Sequence, residues 1–233
     1  MVRIPSLKTT ILSILGLPFF AAIANPIVVD PEQRLTTMLA EDVIITVDRD
    51  ESSVSGRYVF LQQKDVWPEV RDSHVLIYIP VLLPKGGAAA YEHRYGTPTV
   101  TVGGKTFPTK IGEDPYADLP PIQGRLPKGW GFTIYEVNIP LSAVARKFEA
   151  SIHYVQPNFP GHIAGYVPIH PPEPAGKSQI VFVPANGHAL RPTGLLATFR
   201  RPVERIEFTP QNQKLVTARF VSGSPGRKKP AIS

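Results

Sequence analysis

Apolar side chains recur at every second residue in this chain, in short runs cut by proline and glycine. That pattern restricts the fold more than any other feature. Val43, Ile45 and Val47 share a parity in EDVIITVD. Val54, Tyr58 and Phe60 share one in SSVSGRYVFLQ, opposite Ser55 and Arg57. In FEASIHYV, Phe148, Ala150, Ile152 and Tyr154 alternate with Glu149, Ser151 and His153. A period of two is the signature of a strand with one face buried and one face wet. SHVLIYIPVLLP is apolar at both parities, as a strand covered on both faces would be. In PTVTVGGKTFPTKI the pair Gly103-Gly104 supplies a two-residue hairpin turn, whose positive φ angles glycine adopts without strain. GFTIYEVNI, QIVFVPA, ERIEFTP and KLVTARFV complete a set of about nine strands.

Runs of strands without βαβ alternation predict an all-β fold, and specifically an antiparallel β-sandwich of Ig-like or jelly-roll-like architecture. A barrel is the alternative. The 26 prolines fit, because proline is tolerated at strand ends and edges. One short helix is expected near the N-terminus, over 31–40. Asp30-Pro31-Glu32-Gln33 offers an N-cap, a proline at the first helical position and a capping-box glutamine, and Leu35, Met38 and Leu39 follow at helical spacing. A brief turn is expected near Leu141–Arg146.

The first 24 residues have the layout of a cleaved secretory signal peptide. Arg3 and Lys8 give a positive leader, ILSILGLPFF an apolar centre, and Ala22-Ile23-Ala24 a small-residue cleavage site. The apolar centre is shorter than the roughly 20 residues that span a bilayer. The expectation is a periplasmic or secreted bacterial protein, with one domain over 25–221. A disordered basic tail is expected over 222–233, carrying Arg227, Lys228 and Lys229. The chain has no cysteine, which excludes disulfides, thiolate metal sites and a cysteine nucleophile. The formal charge of +6 is scattered rather than gathered into a basic stripe with aromatics, so nucleic acid is not an expected partner.

Chemistry is sparse. IHYVQPNFPGHIAGYVPIHPPEP holds His153, His162 and His170, at intervals of nine and eight residues. Compact zinc motifs place paired ligands two to five apart, so these are weak metal candidates, with Glu173 the natural oxygen ligand if they converge. His153 shares the polar parity of its strand and is expected to face solvent. There is no GxSxG elbow, no Walker motif and no dinucleotide glycine motif, and Gly86-Gly87 runs into alanines. Glu113, Asp114 and Asp118 lie together in a long loop over 112–129 and read as solvated acids. No catalytic residue and no cofactor is assigned.

Aromatics in loops offer the better binding candidates. Tyr91, His93 and Tyr95 stand in YEHRYG beside Arg94, and Tyr116 and Trp130 flank the long loop. Flat rings beside polar groups stack on sugars or anchor a protein. The competing reading packs these rings over the ends of the fold as core. The sequence therefore points to an exported, non-enzymatic module that binds an envelope protein or glycan. The alternative is a metal- or carboxylate-dependent hydrolase of envelope polymers.

Overall fold

The structure is a computed structural model that describes residues 27–28, 36–62, 74–113, 126–166, 177–193, 202–208 and 215–223. The expected signal peptide, Tyr116, the acids Asp114 and Asp118, His170, Glu173 and the tail beyond Gly223 lie outside these residues.

The described chain is mostly β. Its strands are β1 (Ile27–Val28), β2 (Thr36–Val47), β3 (Glu51–Gln62), β4 (His74–Pro84), β5 (Thr99–Val102), β6 (Lys105–Phe107) and β7 (Lys110–Ile111). They continue with β8 (Trp130–Pro140), β9 (Lys147–Pro157), β10 (Ile163–Tyr166), β11 (Lys177–Pro184), β12 (Ala189–Thr193), β13 (Ile206–Phe208) and β14 (Val216–Val221). One helix, α1, spans Ala88–Tyr95. Three sheets result: a seven-stranded sheet in the order β13-β11-β2-β3-β9-β5-β6, a four-stranded sheet β1-β4-β8-β7, and a three-stranded sheet β10-β14-β12.

Parity decides what each strand buries. In β9 every second side chain from Phe148 to Gln156 is buried, while Lys147, Glu149, Ser151 and His153 are exposed. Val43, Ile45 and Val47 of β2 and Val54, Tyr58 and Phe60 of β3 are all within 1% of full burial. They join Ile77, Ile79, Val81 and Leu83 of β4, Val137 and Ile139 of β8, Ile180 and Phe182 of β11, and Ala218 of β14 in one apolar core fed by all three sheets. Each large aliphatic or aromatic side chain so covered contributes about 1.5–3 kcal/mol. The Gly103-Gly104 turn is present, with φ of 56° and 78°, and it registers Val102 against Lys105. A 3-10 turn covers Leu141–Ala143 as expected.

Three expectations need correction. Residues 36–40 are strand, not helix, because they pair with β3: Thr36 faces Gln62 and Met38 faces Phe60. A register shift between Met38 and Ala40 inserts an extra residue there. That bulge breaks the alternation and leaves Met38 and Leu39 at a spacing that mimics a helix. The helix lies instead in GGAAAYEHRYG, which reads from the glycines as a loop. Three alanines carry the highest helix propensity of any residue, and Gly96, at φ 76°, ends the run. Finally, β11 pairs parallel to β2, from Lys177 against Ala40 to Pro184 against Val47, so the seven-stranded sheet is not wholly antiparallel.

One part of the core is polar. Glu41 shares the buried face of β2 and is 1% exposed. The Tyr166 hydroxyl donates to its Oε1 at 3.2 Å, and the Tyr58 and Tyr166 hydroxyls lie 3.4 Å apart. Tyr58 reaches this position because Gly56, two residues earlier on the same face, has no side chain. A Cβ there would stand 2.4 Å from the Tyr58 ring. Gly56→Ala should therefore destabilise the fold by about 1–3 kcal/mol in a urea titration, as overpacking does.

Burial raises the ionisation of Tyr58, Tyr154 and Tyr166 far above the ordinary phenol range, and the Glu41 charge adds to it. Burial also raises Tyr91 and Tyr135. The sign follows directly. Below the unfolded value of about 10 the phenols are neutral in both states and the stability is fully present. Above it the unfolded chain sheds protons that the folded chain retains, so stability falls as pH rises toward the folded values. Each such tyrosine removes about 1.4 kcal/mol per pH unit. Melting temperature followed from pH 7 upward should stay level to about pH 9.5, then drop steeply together with a cooperative rise in tyrosinate absorbance. Gradual tyrosinate formation by all eight tyrosines without unfolding would contradict the buried placement of these five.

Candidate functional site

Strands β2 and β3 are joined by Asp48-Arg49-Asp50, with the Asp48 N–H donating to the Glu51 carbonyl at 2.9 Å. Two distant segments close on this turn. One is the C-terminal end of α1. The other is the turn that leads from β9 into β10.

Helix α1 starts where Gly87 donates its N–H to the Pro84 carbonyl at 2.9 Å. It is held by Tyr91, which is 4% exposed and packs its ring 5.8 Å from that of Tyr135. One helical turn later comes Tyr95, half-buried, its ring 5.5 Å from Tyr91. The Arg94 guanidinium lies 4.8 Å from the Tyr95 ring centroid, a cation–π arrangement. Arg94 Nη2 also donates to Glu51 Oε2 at 3.2 Å. Burial raises the pKa of the Tyr95 hydroxyl, and the Glu51 carboxylate raises it further. His93 is exposed beside them.

From the other side Asn158, 9% exposed, binds the same turn. Its Nδ2 donates to the carbonyls of Asp48, Arg49 and Glu51 at 2.8, 3.2 and 3.3 Å, and its Oδ1 accepts from Ser52 Oγ at 2.5 Å. The Asn158 N–H reaches the Asp50 carbonyl at 2.9 Å. His162 sits at φ 60°, its Nδ1 3.1 Å from the Arg49 carbonyl and 3.3 Å from Asp50 Oδ1. Both neighbours are acceptors only, so Nδ1 carries the proton that faces them. The result is a corner that gathers the Tyr95 ring, the Arg94 guanidinium, the carboxylates of Asp50 and Glu51 and the His162 imidazole, its backbone pinned from within.

The candidates read from sequence are partly gathered here. Tyr95 and His162 belong to this corner; Tyr91 lies beneath it, turned inward, and His93 is an exposed residue of α1. Trp130 opens β8 and stands edge-on to Phe159 at 4.8 Å, in a separate cluster with Leu82 and Leu215. Phe159 in turn lies over Gly165, where a Cβ would meet its ring at 2.4 Å. His153 is on the outer face of the seven-stranded sheet, its Nδ1 3.0 Å from Ser55 Oγ. His153 and His162 therefore serve different surfaces. Among the described residues no group of three or more His, Asp or Glu is placed to hold a metal ion. Glu51 and Asn158 escaped the sequence reading. Asp48-Arg49-Asp50 between two alternating runs does signal a turn, but nothing local says which distant side chains close on it.

No protein-family profile matches the chain. No curated protein matches it either. Among solved structures it is similar to yeast LTA4 hydrolase in complex with bestatin, at 11% identity and a TM-score of 0.42, over 89% of this chain and 32% of that one. The chain thus spans about a third of that protein, and a likeness this slight carries no argument about function.

Asn158 is the residue that most fixes the corner. Asn158→Ala would remove the acceptor of Ser52 Oγ and the side-chain donor to the Asp48, Arg49 and Glu51 carbonyls, a loss expected to cost about 1–3 kcal/mol in chemical denaturation. Asn158→Asp should cost more, because it sets a carboxylate against the same carbonyl oxygens.

Proposed function

We propose that this chain is an exported, non-enzymatic bacterial module, a single β-sandwich domain over 25–221, that binds a cell-envelope glycan at the Tyr95–Arg94 corner. The leader at 1–24 supports export. The sandwich reading is supported by strands that alternate buried and exposed side chains around one core.

The observation that carries the binding reading is the fixed presentation of Tyr95 with Arg94. A ring at the surface offers an apolar face for sugar C–H groups. The guanidinium keeps N–H donors beyond its bond to Glu51, and the carboxylates of Asp50 and Glu51 accept from hydroxyls. These groups are held before any ligand arrives, because Tyr91 anchors the helix and Asn158 anchors the turn. Less ordering is then needed on binding.

A glycan fits better than a protein. Among the described residues the exposed large hydrophobics are Ile44 and Ile111, on different sheets. Protein interfaces concentrate apolar and aromatic area at their centre, and these two residues form no such patch.

Mature protein should be retained by at least one member of a panel of bacterial envelope glycans in affinity electrophoresis. Tyr95→Ala and Arg94→Ala should each weaken retention about tenfold, equivalent to roughly 1.4 kcal/mol. Wild-type protein that migrates unretarded through every glycan would sink the reading.

A further inference from the structure

The positive charge of this chain is weighted to its C-terminal end. Residues 174–233 hold ten Lys and Arg against two Asp and Glu, a formal charge of +8, whereas the whole chain carries +6. An imbalance of this kind points to an anionic partner. Strands β12 and β14 lie in this part of the sequence, and two of its cations meet there.

Register places Arg191 of β12 directly opposite Arg219 of β14. Both are exposed, on the outer face of the three-stranded sheet, because Leu190, Ala218 and Phe220 beside them face the core. Directly opposite residues have Cβ atoms about 4.5–5.5 Å apart, and like charges so placed are destabilising. The sheet cannot relieve this by slipping, since a shift of one residue would turn Leu190 or Phe220 outward. Nor does an acid intervene. Among the described residues neither guanidinium has an ion-pair or hydrogen-bond partner. The two acids of residues 174–233 are Glu204 and Glu207. Glu207 is held by Arg205 at 3.1 Å, and Glu204 forms no ion pair among the described residues.

The next pair on the same face is Thr193 opposite Thr217. Thr193 Oγ1 donates to Thr217 Oγ1 at 2.7 Å, which leaves the Thr217 proton for another acceptor. On the other side of the arginines stand Ala189 and Val221, and across from Arg219 on β10 stands Ile163. None of these can neutralise the pair.

We propose that Arg191 and Arg219, with Thr217 beside them, form a binding site for a phosphomonoester group. The site lies on a surface other than the Tyr95–Arg94 corner and does not depend on the glycan reading. Two guanidiniums facing each other across one strand gap present two forks of N–H donors. A carboxylate has two oxygens in one plane, and a single fork satisfies it. A phosphomonoester is tetrahedral, with three free oxygens pointing in different directions. It bridges both forks and still accepts from Thr217. Its charge of about −1.5 to −2 near pH 7 matches that of two arginines.

Inorganic phosphate at about pH 8, where it is mainly a dianion, is the first probe. It is added to the mature protein, with sodium acetate of equal ionic strength as the comparison. At about five times its dissociation constant phosphate should raise the melting temperature by about 2–4 °C, and acetate should not. Arg191→Gln and, separately, Arg219→Gln change exposed side chains and leave the core untouched. Without phosphate each should melt at or above the wild-type temperature, because the repulsion is gone. Each should bind phosphate at least tenfold more weakly. Two independent variants guard against one that fails to fold. Arg227→Gln, Lys228→Gln and Lys229→Gln combined should leave phosphate binding unchanged.

Vesicles then identify the source of the phosphate. Retention on phosphatidylcholine containing phosphatidic acid but not on phosphatidylcholine alone, lost in both arginine variants, makes it a lipid headgroup. A phosphate response without vesicle retention makes it a soluble phosphoester. A rise in melting temperature no larger than acetate gives would overturn the site. So would a rise that persists undiminished in both arginine variants, which is a general salt effect. Phosphate binding lost only with Arg227, Lys228 and Lys229 would likewise remove the role given to Arg191 and Arg219.

Discussion

Strand β3 is paired along nearly its whole length on both sides, with β2 from Gln62 to Ser52 and with β9 from Leu61 to Glu51. That double register is the constraint on which the other elements depend. It sends Val54, Tyr58 and Phe60 inward and Ser55 and Arg57 outward. A slip of one residue against either neighbour would exchange the two sets, placing Arg57 in an apolar core and Phe60 in water. The penalty for an unpaired buried guanidinium is several kcal/mol, and exposing the aromatic row adds to it. The register is therefore fixed by both faces at once, and Gly56 sharpens it further. Only one position of β3 can face the Tyr58 ring without a side chain, and glycine occupies it.

Much of this was legible in the sequence, because alternation is a local property. The rows of β2, β3 and β9, the Gly103-Gly104 hairpin and the solvent-facing His153 all follow from reading every second residue. The failures share a physical cause. At Met38–Ala40 a bulge removed the period that the reading relied on, and cross-strand pairing overrode an apparent capping sequence. At Ala88–Tyr95 three consecutive strong helix formers outweigh the loop signal of the flanking glycines, which cap the helix instead of breaking it. The parallel pairing of β11 with β2 depends on where a distant strand docks, and no local pattern encodes it.

The corner shows the same division. YEHRYG marked Tyr95 and Arg94 as interesting, and IHYVQPNFPGHIAGYVPIHPPEP marked His162. Their convergence on one turn was invisible, because Asn158 meets Asp48 across a sequence separation of 110 residues. Asn158 itself looks like an ordinary loop residue. Its role appears only once its amide is seen to bridge the Asp48, Arg49 and Glu51 carbonyls of the turn.

Polar groups in this molecule fall into two classes with different consequences. Those inside, Glu41 with the tyrosine hydroxyls and Gln156 with the Gly165 carbonyl at 2.6 Å, are enclosed and can act on stability alone. Those outside are arranged by the same strands but remain accessible. The turn that begins at Asp48 leads directly into β3, so the Glu51 side of the corner is positioned by a strand whose register the core already enforces. Its Arg94 and Tyr95 side is positioned by α1, which Tyr91 ties to Tyr135 of β8. On the proposed reading, that rigidity favours recognition of a polar ligand at an exposed corner, because little conformational entropy remains to be lost on binding.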